Sequence, residues 1–497
     1  MKKFISLLVA AMMIMALIAI PALAAGEGTI TIDNIVEGNV YSIYRILDLE
    51  SYNAAGAYSY KVNSEWTGFF SAGSEGLNYV KIDDAGYVTW NVSDENNIVA
   101  EFAQKALAYA KANGITPLKS SENTGDFAIS GTSGVFSDLD LGYYLVDSSM
   151  GALCGLTTTS PNATVVAKNA KPTLTKYVQE DSLTSQADQG WRSSNTADMG
   201  QEVNFMVSID VHDGAENFVL HDTMADGITF GSVTKIQHII PGTGTHDTET
   251  TKYEVVTTGI TDGCTFHIVF SEEFCNDLNK NDKIAIYYTS TLNTSAEVGA
   301  TGNKNTAWLS FGDTDKNHIT EKAETTTYTY GVDIVKTTST NQLLNGAEFK
   351  LYDALTGGNQ IHVVWDSENQ VYRRAVESDD PATYENIVIS VNNNGTARVE
   401  GLDNGTYYLE ETKAPDGYNK LTARHAFTVS DSNFDAVTDG TNTAYLHSGV
   451  QVINKTGSVL PTTGGIGTTI FVVLGGLTVL AAGVVLFAKK RMSQIAE

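Results

Sequence analysis

The sequence is poor in cysteine, proline and basic residues. Its 497 residues include three cysteines, too few for a disulfide scaffold. Its eight prolines exclude a long proline-rich segment. Lysine and arginine total 31 against 58 acidic residues, so the formal net charge is −27 and nucleic acid is an unfavourable partner.

Strand-forming and turn-forming residues dominate what remains. A hydrophobic fraction of 42% is high enough to build cores, which argues against disorder. The 44 glycines and 23 tyrosines favour strands and turns over helices. At about 150 residues per domain, this length predicts two to four domains.

The first residues have the pattern of a signal peptide. Lys2 and Lys3 precede an apolar run over residues 4–20, and a small-residue cleavage site follows at 22–24. We therefore expect residues 1–24 to be removed, so that Ala25 begins the mature chain. A membrane anchor is the alternative, which the cleavage site disfavours.

Near the other end, a pentapeptide precedes an apolar run. Residues 466–488 contain no charged residue, and as a helix they would span about 35 Å, enough to cross a bilayer. The tail, residues 489–497, begins with three basic residues that favour a cytoplasmic location. The pentapeptide is Leu460, Pro461, Thr462, Thr463 and Gly464.

This order of motif, span and basic tail resembles the cell-wall sorting signal of Gram-positive surface proteins, rather than a plain membrane anchor. The resemblance implies that a sortase cysteine cleaves between Thr463 and Gly464 and passes the Thr463 acyl group to an amine. It also implies a protein that is held transiently in the membrane and then attached to peptidoglycan at the cell surface.

Between the two ends, the pattern predicts three β domains, at 25–170, 171–330 and 331–457. We expect an all-β fold of tandem immunoglobulin-like sandwiches in an elongated array. One helix is predicted at residues 95–113, where apolar residues recur at helical spacing and Gly114 follows as a stop.

Two of these domains begin with a strand that directs a lysine inward. Lys176 shares a face with Leu174 and Val178, and Lys336 shares a face with Val332 and Ile334. Lysine is rarely buried without a partner. On the strand pattern alone, the alternative that both lysines snorkel to water stays open.

Other strands of the same domains direct an asparagine and an acid inward. These residues are Asn305 and Asp222 in the second domain, and Asn454 and Glu411 in the third. Desolvation favours the neutral amine and the neutral carboxyl. A neutral lysine can attack the asparagine carbonyl while the acid transfers protons, so that ammonia leaves and an amide remains.

Local motifs in the third domain resemble a Cna B-type domain. They include Gly331–Lys336, Gly346–Leu351, Val452–Lys455 and a segment, Tyr408–Tyr418, similar to the pilin E-box. The whole chain resembles a SpaA-type major, or backbone, pilin. The resemblance implies internal bonds Lys176–Asn305 and Lys336–Asn454, with Asp222 and Glu411 as the acids. The first domain has no lysine in its opening strands, and we expect no such bond there.

The end of the first domain resembles a pilin motif at Thr164–Asn169. This resemblance implies that Lys168 is the amine that receives Thr463 of the next identical subunit, with a pilin sortase and a housekeeping sortase as partners. Lys171 is the most plausible substitute for Lys168.

Two functions from different classes remain at this stage. One is a structural shaft subunit, and the other is a wall-anchored adhesin or accessory pilin that binds host matrix. Only residues 456–459 separate the last domain from the sorting motif, so the chain has no stalk, which favours the shaft. We predict no multiple-turnover enzyme and no cofactor.

The sequence predicts no metal site. Residues 313–324 have partial EF-hand spacing, but His318 stands where that loop needs glycine. The histidines show no zinc spacing. Cys264 and Cys275 are candidates for a disulfide in an oxidising compartment, which would leave Cys154 unpaired.

Overall fold

The structure is a computed structural model. It describes residues 28–52, 58–91, 96–150, 155–158, 162–167, 170–182, 190–212, 216–312, 318–390, 395–429, 435–438, 444–457 and 466–493. The predicted signal peptide, Lys168, Cys154 and the pentapeptide 460–464 lie outside these residues.

The described strands form six sheets, two in each of three successive parts of the chain, which we call the first, second and third units. The first unit contains β1 (Gly28–Asp33), β2 (Tyr41–Tyr52), β3 (Tyr58–Val62), β4 (Val80–Ile82), β5 (Tyr87–Trp90), β6 (Lys119–Ser120), β7 (Phe127–Ser130), β8 (Ser133–Leu139), β9 (Gly142–Ser148), β10 (Gly155–Thr158) and β11 (Asn162–Val166).

The second unit contains β12 (Thr173–Glu180), β13 (Gly190–Arg192), β14 (Ser194–Thr196), β15 (Glu202–Asp210), β16 (Val219–Met224), β17 (Ile228–Ile240), β18 (Gly244–Asp247), β19 (Tyr253–Val256), β20 (Phe266–Phe270), β21 (Lys283–Leu292), β22 (Asn303–Phe311), β23 (His318–Ile319) and β24 (Ala323–Tyr328). The third unit contains β25 (Tyr330–Thr338), β26 (Glu348–Tyr352), β27 (Gln360–Ile361), β28 (Val363–Asp366), β29 (Val371–Arg374), β30 (Tyr384–Glu385), β31 (Ile387–Val388), β32 (Thr396–Leu402), β33 (Gly405–Lys413), β34 (His425–Val429), β35 (Asp435–Thr438) and β36 (Ala444–Asn454).

In the second unit, one sheet has the strand order β13-β12-β15-β21-β17-β18, and the other has β14-β24-β22-β16-β20-β19 with β23 beside β22. In the third unit, the orders are β30-β28-β29-β32-β25-β36-β35 and β27-β26-β33-β34, with β31 beside β26. Most neighbouring strands are antiparallel. The pairs β1 with β11 and β25 with β36 are parallel, so the first and last strands of these two units lie side by side.

Strict alternation of apolar and polar residues explains why these segments form half-buried strands. In β15, Val203, Phe205, Val207 and Ile209 are buried and the residues between them are more exposed. The buried side chains of two facing sheets meet in one core per unit in the second and third units. The same alternation decides which polar residues of neighbouring strands point into those cores.

Among the described residues, three α-helices accompany the strands: α1 (Asn96–Asn113), α2 (Glu272–Asp277) and α3 (Ile466–Ser493). The helix predicted at 95–113 is confirmed as α1, and its Phe102, Ala106 and Ala110 are buried in the core of the first unit. Gly114 follows α1 with φ = 67°, a left-handed conformation that suits glycine at a helix end.

The second and third units contact each other directly. The Met199 amide donates to the Gly401 carbonyl at 2.9 Å, and Arg374 pairs with Asp198 at 3.2 Å. Asp198 also accepts from the Asp403 amide at 2.9 Å. Since Asp403 is buried at this contact, desolvation raises its pKa to about 7.

These observations confirm the predicted fold class, a mostly β protein built from paired sheets with an apolar helix near its C-terminal end. Residues Ile470–Met492 within α3 are long and apolar enough to cross a membrane, and none of this span is buried against the rest of the protein.

Candidate functional site: two buried lysine–asparagine–acid clusters

The first cluster lies between the two sheets of the second unit. Lys176 projects from β12 in one sheet, while Asp222 on β16 and Asn305 on β22 project from the facing sheet. The strands β16 and β22 are antiparallel neighbours, with Asp222 opposite Ala307 and Met224 opposite Asn305. The side chains of Asp222 and Asn305 therefore reach the same inward face. The Lys176 Nζ donates to the Asp222 Oδ2 at 2.5 Å.

Burial controls the charges in this cluster. Asp222 and Asn305 are 0% exposed, and Lys176 is 4% exposed. Desolvation lowers the pKa of Lys176 and raises the pKa of Asp222, and it outweighs the attraction between their opposite charges. Both shifts favour the neutral amine and the neutral carboxyl, which are the forms that amide formation requires.

A tyrosine that the sequence analysis missed completes the first cluster. The Tyr288 hydroxyl contacts the Lys176 amine, donates to the Asp222 Oδ2 at 2.7 Å and accepts from the Asn305 Nδ2 at 3.3 Å. Its signal was available, because β21 alternates Ile284, Ile286 and Tyr288 on one buried face. Tyr288 links all three predicted residues and holds them in place.

Two oxygens of the first cluster lack hydrogen bonds. Within the described residues, neither Asp222 Oδ1 nor Asn305 Oδ1 has a partner, although both atoms are buried. An unpartnered buried acceptor is costly. A proton on the Asp222 carboxyl would provide a donor for the Asn305 carbonyl, and the same contact would polarise that carbonyl for attack.

The second cluster lies in the third unit and has a different layout. Lys336 on β25 and Asn454 on β36 belong to adjacent parallel strands of one sheet, and Glu411 projects from β33 in the facing sheet. The register places Lys336 opposite Val452, two residues before Asn454. All three cluster residues are at most 1% exposed.

The contacts within the second cluster pair the asparagine with the acid. The Asn454 Nδ2 donates to both carboxylate oxygens of Glu411, at 2.9 and 3.0 Å. The Leu421 amide also donates to Glu411, at 2.8 Å. Within the described residues, Asn454 Oδ1 has no partner, which matches the orphaned carbonyl of Asn305 in the first cluster.

Lys336 is a fully buried amine. Its Nζ donates to the Val452 carbonyl at 2.9 Å, and no salt bridge involves it among the residues described. Desolvation lowers the pKa of Lys336 to about 8, although the Glu411 charge acts in the opposite direction. Near neutral pH, a larger fraction of Lys336 than of an ordinary lysine is therefore neutral, and the neutral amine is the form that acts as a nucleophile.

The two neighbouring glutamates of β33 occupy opposite faces. Glu411 is 1% exposed, whereas the side chain of Glu410 is 41% exposed and pairs with Arg424 at 3.0 Å. Only Glu411 can reach Asn454. This makes Glu410 a matched control for the role of Glu411.

The disulfide that the sequence suggested is wrong, because Cys264 and Cys275 are both free thiols in the structure. Cys275 is buried on α2 in the core of the second unit. Cys264 lies in a different environment, 3.8 Å from the Nδ1 atom of His221.

Comparison with family models identifies two parts of the chain. Residues 453–493 match the LPXTG cell wall anchor motif, and α3 supplies the apolar helix of that match. The protein is therefore a surface protein anchored to the cell wall. Residues 331–444, within the third unit, match the SpaA prealbumin-like fold domain, which agrees with the SpaA-type resemblance found in the sequence.

No curated protein matches the chain significantly. Among solved structures, the T6 backbone pilin of serotype M6 Streptococcus pyogenes is 17% identical, with 82% of this chain and 81% of that chain covered and a TM-score of 0.48. The full-length major pilin SpaD from Corynebacterium diphtheriae is 17% identical, with 86% and 98% covered and a TM-score of 0.46.

Proposed function

We propose that this protein is the shaft subunit of a covalent cell-surface pilus whose second and third units are each closed by an internal amide bond. The observation that carries the proposal is the occurrence of two lysine–asparagine–acid clusters in successive units of a wall-anchored chain. The two clusters use different strands and different acids. Their shared composition is therefore not a by-product of one repeated sheet geometry.

The proposed reaction balances without any other reactant. The neutral lysine Nζ attacks the Cγ atom of the asparagine, and the C–Nζ bond forms as the C–Nδ2 bond breaks. A proton from the lysine passes through the acid to the departing nitrogen, which leaves as ammonia. The product is a neutral amide, so the cost of burying the lysine charge disappears.

The reaction needs no external catalyst because folding brings the groups together. In the second unit, Lys176 contacts Asp222 across the core, and Tyr288 contacts Lys176, Asp222 and Asn305. In the third unit, Asn454 donates a hydrogen bond to Glu411, and Lys336 lies on the strand adjacent to that of Asn454. Each acid acts once, within its own unit, so this chemistry is not enzyme turnover.

We also propose that a covalent bond joins each subunit to the next. Sortase cleaves between Thr463 and Gly464, forms a thioester with Thr463 and transfers it to the amine of Lys168 in the next subunit. The described strand β11 ends at Val166, so the predicted acceptor follows the last strand of the first unit. A head-to-tail contact of this kind does not close, and it grows into a filament.

The decisive test of the internal bonds is an intact mass measurement. We expect the mature protein, residues 25–463, to weigh less than its sequence by two ammonia molecules, one for each bond. Asp222→Ala and Glu411→Ala should each restore one ammonia, because the carbonyl loses its proton donor.

Glu410→Ala is the matched control, since Glu410 lies on the outer face of the same strand. It should leave both bonds intact. An unmodified mass for the wild-type protein would refute both bonds. Restoration by Glu410→Ala instead of Glu411→Ala would refute the assigned acid.

A further inference from the structure

A further group of reactive side chains, separate from the two lysine–asparagine–acid clusters, lies on the outer face of the β16–β20 strand pair. His221 and His267 are directly opposite each other on these antiparallel strands, with ring centroids 4.3 Å apart. The segment preceding β20 adds a carboxylate from Asp262 and a thiol from Cys264. One ligand atom from each of the four residues lies within 4.8 Å of all the others.

The spacing of these ligand atoms fits a tetrahedral metal ion. His221 Nδ1 is 3.1 Å from His267 Nε2 and 3.8 Å from Cys264 Sγ, and both histidine nitrogens are 3.0 Å from Asp262 Oδ2. With Zn–N bonds of about 2.0 Å and Zn–S bonds of about 2.3 Å, a tetrahedral site separates two nitrogens by about 3.3 Å and nitrogen from sulfur by about 3.5 Å. The ligands therefore need only small shifts.

Surrounding contacts orient the cluster. The His221 Nε2 lies 2.9 Å from the Ser310 Oγ, and an N–H donated to this hydroxyl leaves the Nδ1 lone pair directed at the cluster. The Cys264 amide donates to Asp262 Oδ1 at 3.1 Å, which fixes the carboxylate relative to the thiol. The His221 ring also stacks on Trp308, with centroids 5.2 Å apart and an interplanar angle of 4°.

We propose that His221, Asp262, Cys264 and His267 form a Zn²⁺ site that joins β16, β20 and the segment before β20. Two imidazoles, one thiolate and one carboxylate suit zinc, whereas Ca²⁺ and Mg²⁺ prefer sites made of oxygen ligands. Coordination replaces the thiol proton of Cys264 with a Zn–S bond and releases that proton to solvent. His221 and Asp222 point to opposite faces of β16, so the zinc site and the lysine–asparagine cluster are separate.

The test uses the full-length chain in detergent, with a non-thiol reductant and with metal removed by chelation. After Zn²⁺ is added back and the excess is dialysed away, we expect the wild-type protein to retain one Zn²⁺ per chain and to melt at a higher temperature than the metal-free protein. With Co²⁺ as the probe, we expect tetrahedral visible bands, a thiolate-to-cobalt charge-transfer band and quenching of Trp308 fluorescence.

Cys264→Ser should remove the charge-transfer band, and His267→Ala should remove the bound zinc. Both variants should abolish the thermal shift. Ser310→Ala should weaken zinc binding by about 10-fold or more, as loss of an outer hydrogen bond to a ligand does. Cys275→Ala and His246→Ala are the matched controls, because Cys275 is a buried thiol elsewhere in the unit and His246 lies on exposed strand β18.

Circular dichroism without metal establishes that each variant is folded. If His267→Ala fails to fold, the nearly isosteric Cys264→Ser decides the matter. A wild-type chain that retains no zinc would overturn the proposal. Equal zinc content and equal cobalt spectra in the wild type and in Cys264→Ser would overturn it as well.

Discussion

We expect the Lys168→Arg variant, expressed with its pilin sortase, to give no SDS-resistant ladder of covalent oligomers. Arginine keeps the positive charge, but its guanidinium stays protonated and cannot attack the thioester on Thr463. Export of the monomer and both internal bonds should persist, since neither depends on Lys168. The readouts are immunoblotting of cell-wall extracts and the intact mass of the released monomer.

Lys171→Arg is the matched control, because Lys171 is an exposed lysine three residues away. It should leave the ladder unchanged. A ladder that persists in Lys168→Arg, with the junction peptide mapped to Lys171, would move the acceptor to that residue. A monomer that fails to reach the surface would point to an effect on folding. The intact mass tests folding separately, because a folded monomer keeps the mass loss of two ammonia molecules.

The second large effect is expected at Lys336. A Lys336–Asn454 bond closes a loop of about 120 residues and, by analogy with a disulfide, contributes roughly 5 kcal/mol to the stability of the third unit. Lys336→Met removes the amine and keeps the volume of the side chain. We expect it to lower the melting temperature of the third unit by roughly 15–25 °C and to make this unit sensitive to proteases.

This substitution distinguishes the effect of the bond on stability from the effect of the buried lysine charge. If no bond formed, replacing a buried lysine with methionine would be neutral or stabilising, because the cost of desolvating the amine would disappear. A melting temperature that is unchanged or higher in Lys336→Met would therefore contradict the bond. Lys350→Met, on an outward face of β26, should have little effect in either case.

Alternation within single strands was the part of the structure that the sequence predicted best. Period two is enough to place Lys176, Asp222 and Glu411 on inward faces. Lys176 and Asp222 each stand between apolar residues on their own face of the strand, and Glu411 follows two such residues on its face. The same pattern separates Glu411 from Glu410. The face that each side chain occupies is thus determined locally, by five or six residues of the chain.

Relations between strands could not be predicted in this way. Tyr288 was missed because its role depends on two relations between strands: it lies two strands from Lys176 in the same sheet, and it faces Asp222 across the core. The His221–His267 pair depends on the register of β16 with β20, and the two residues are far apart in sequence. A search for zinc spacing within one segment finds only part of the set, Asp262, Cys264 and His267.

The parallel pairing of β25 and β36 determines how the third unit would respond to tension along a pilus. Pulling would draw the start of β25 and the end of β36 in opposite directions, so the eight paired positions between them would be sheared together and not unzipped one by one. A bond between Lys336 and Asn454 would carry the pull directly from one strand to the other. With both bonds in place, tension would run through residues 168–176, 305–336 and 454–463 only. The remaining parts of the second and third units would carry no tension. Their sequences could therefore vary without weakening the fibre.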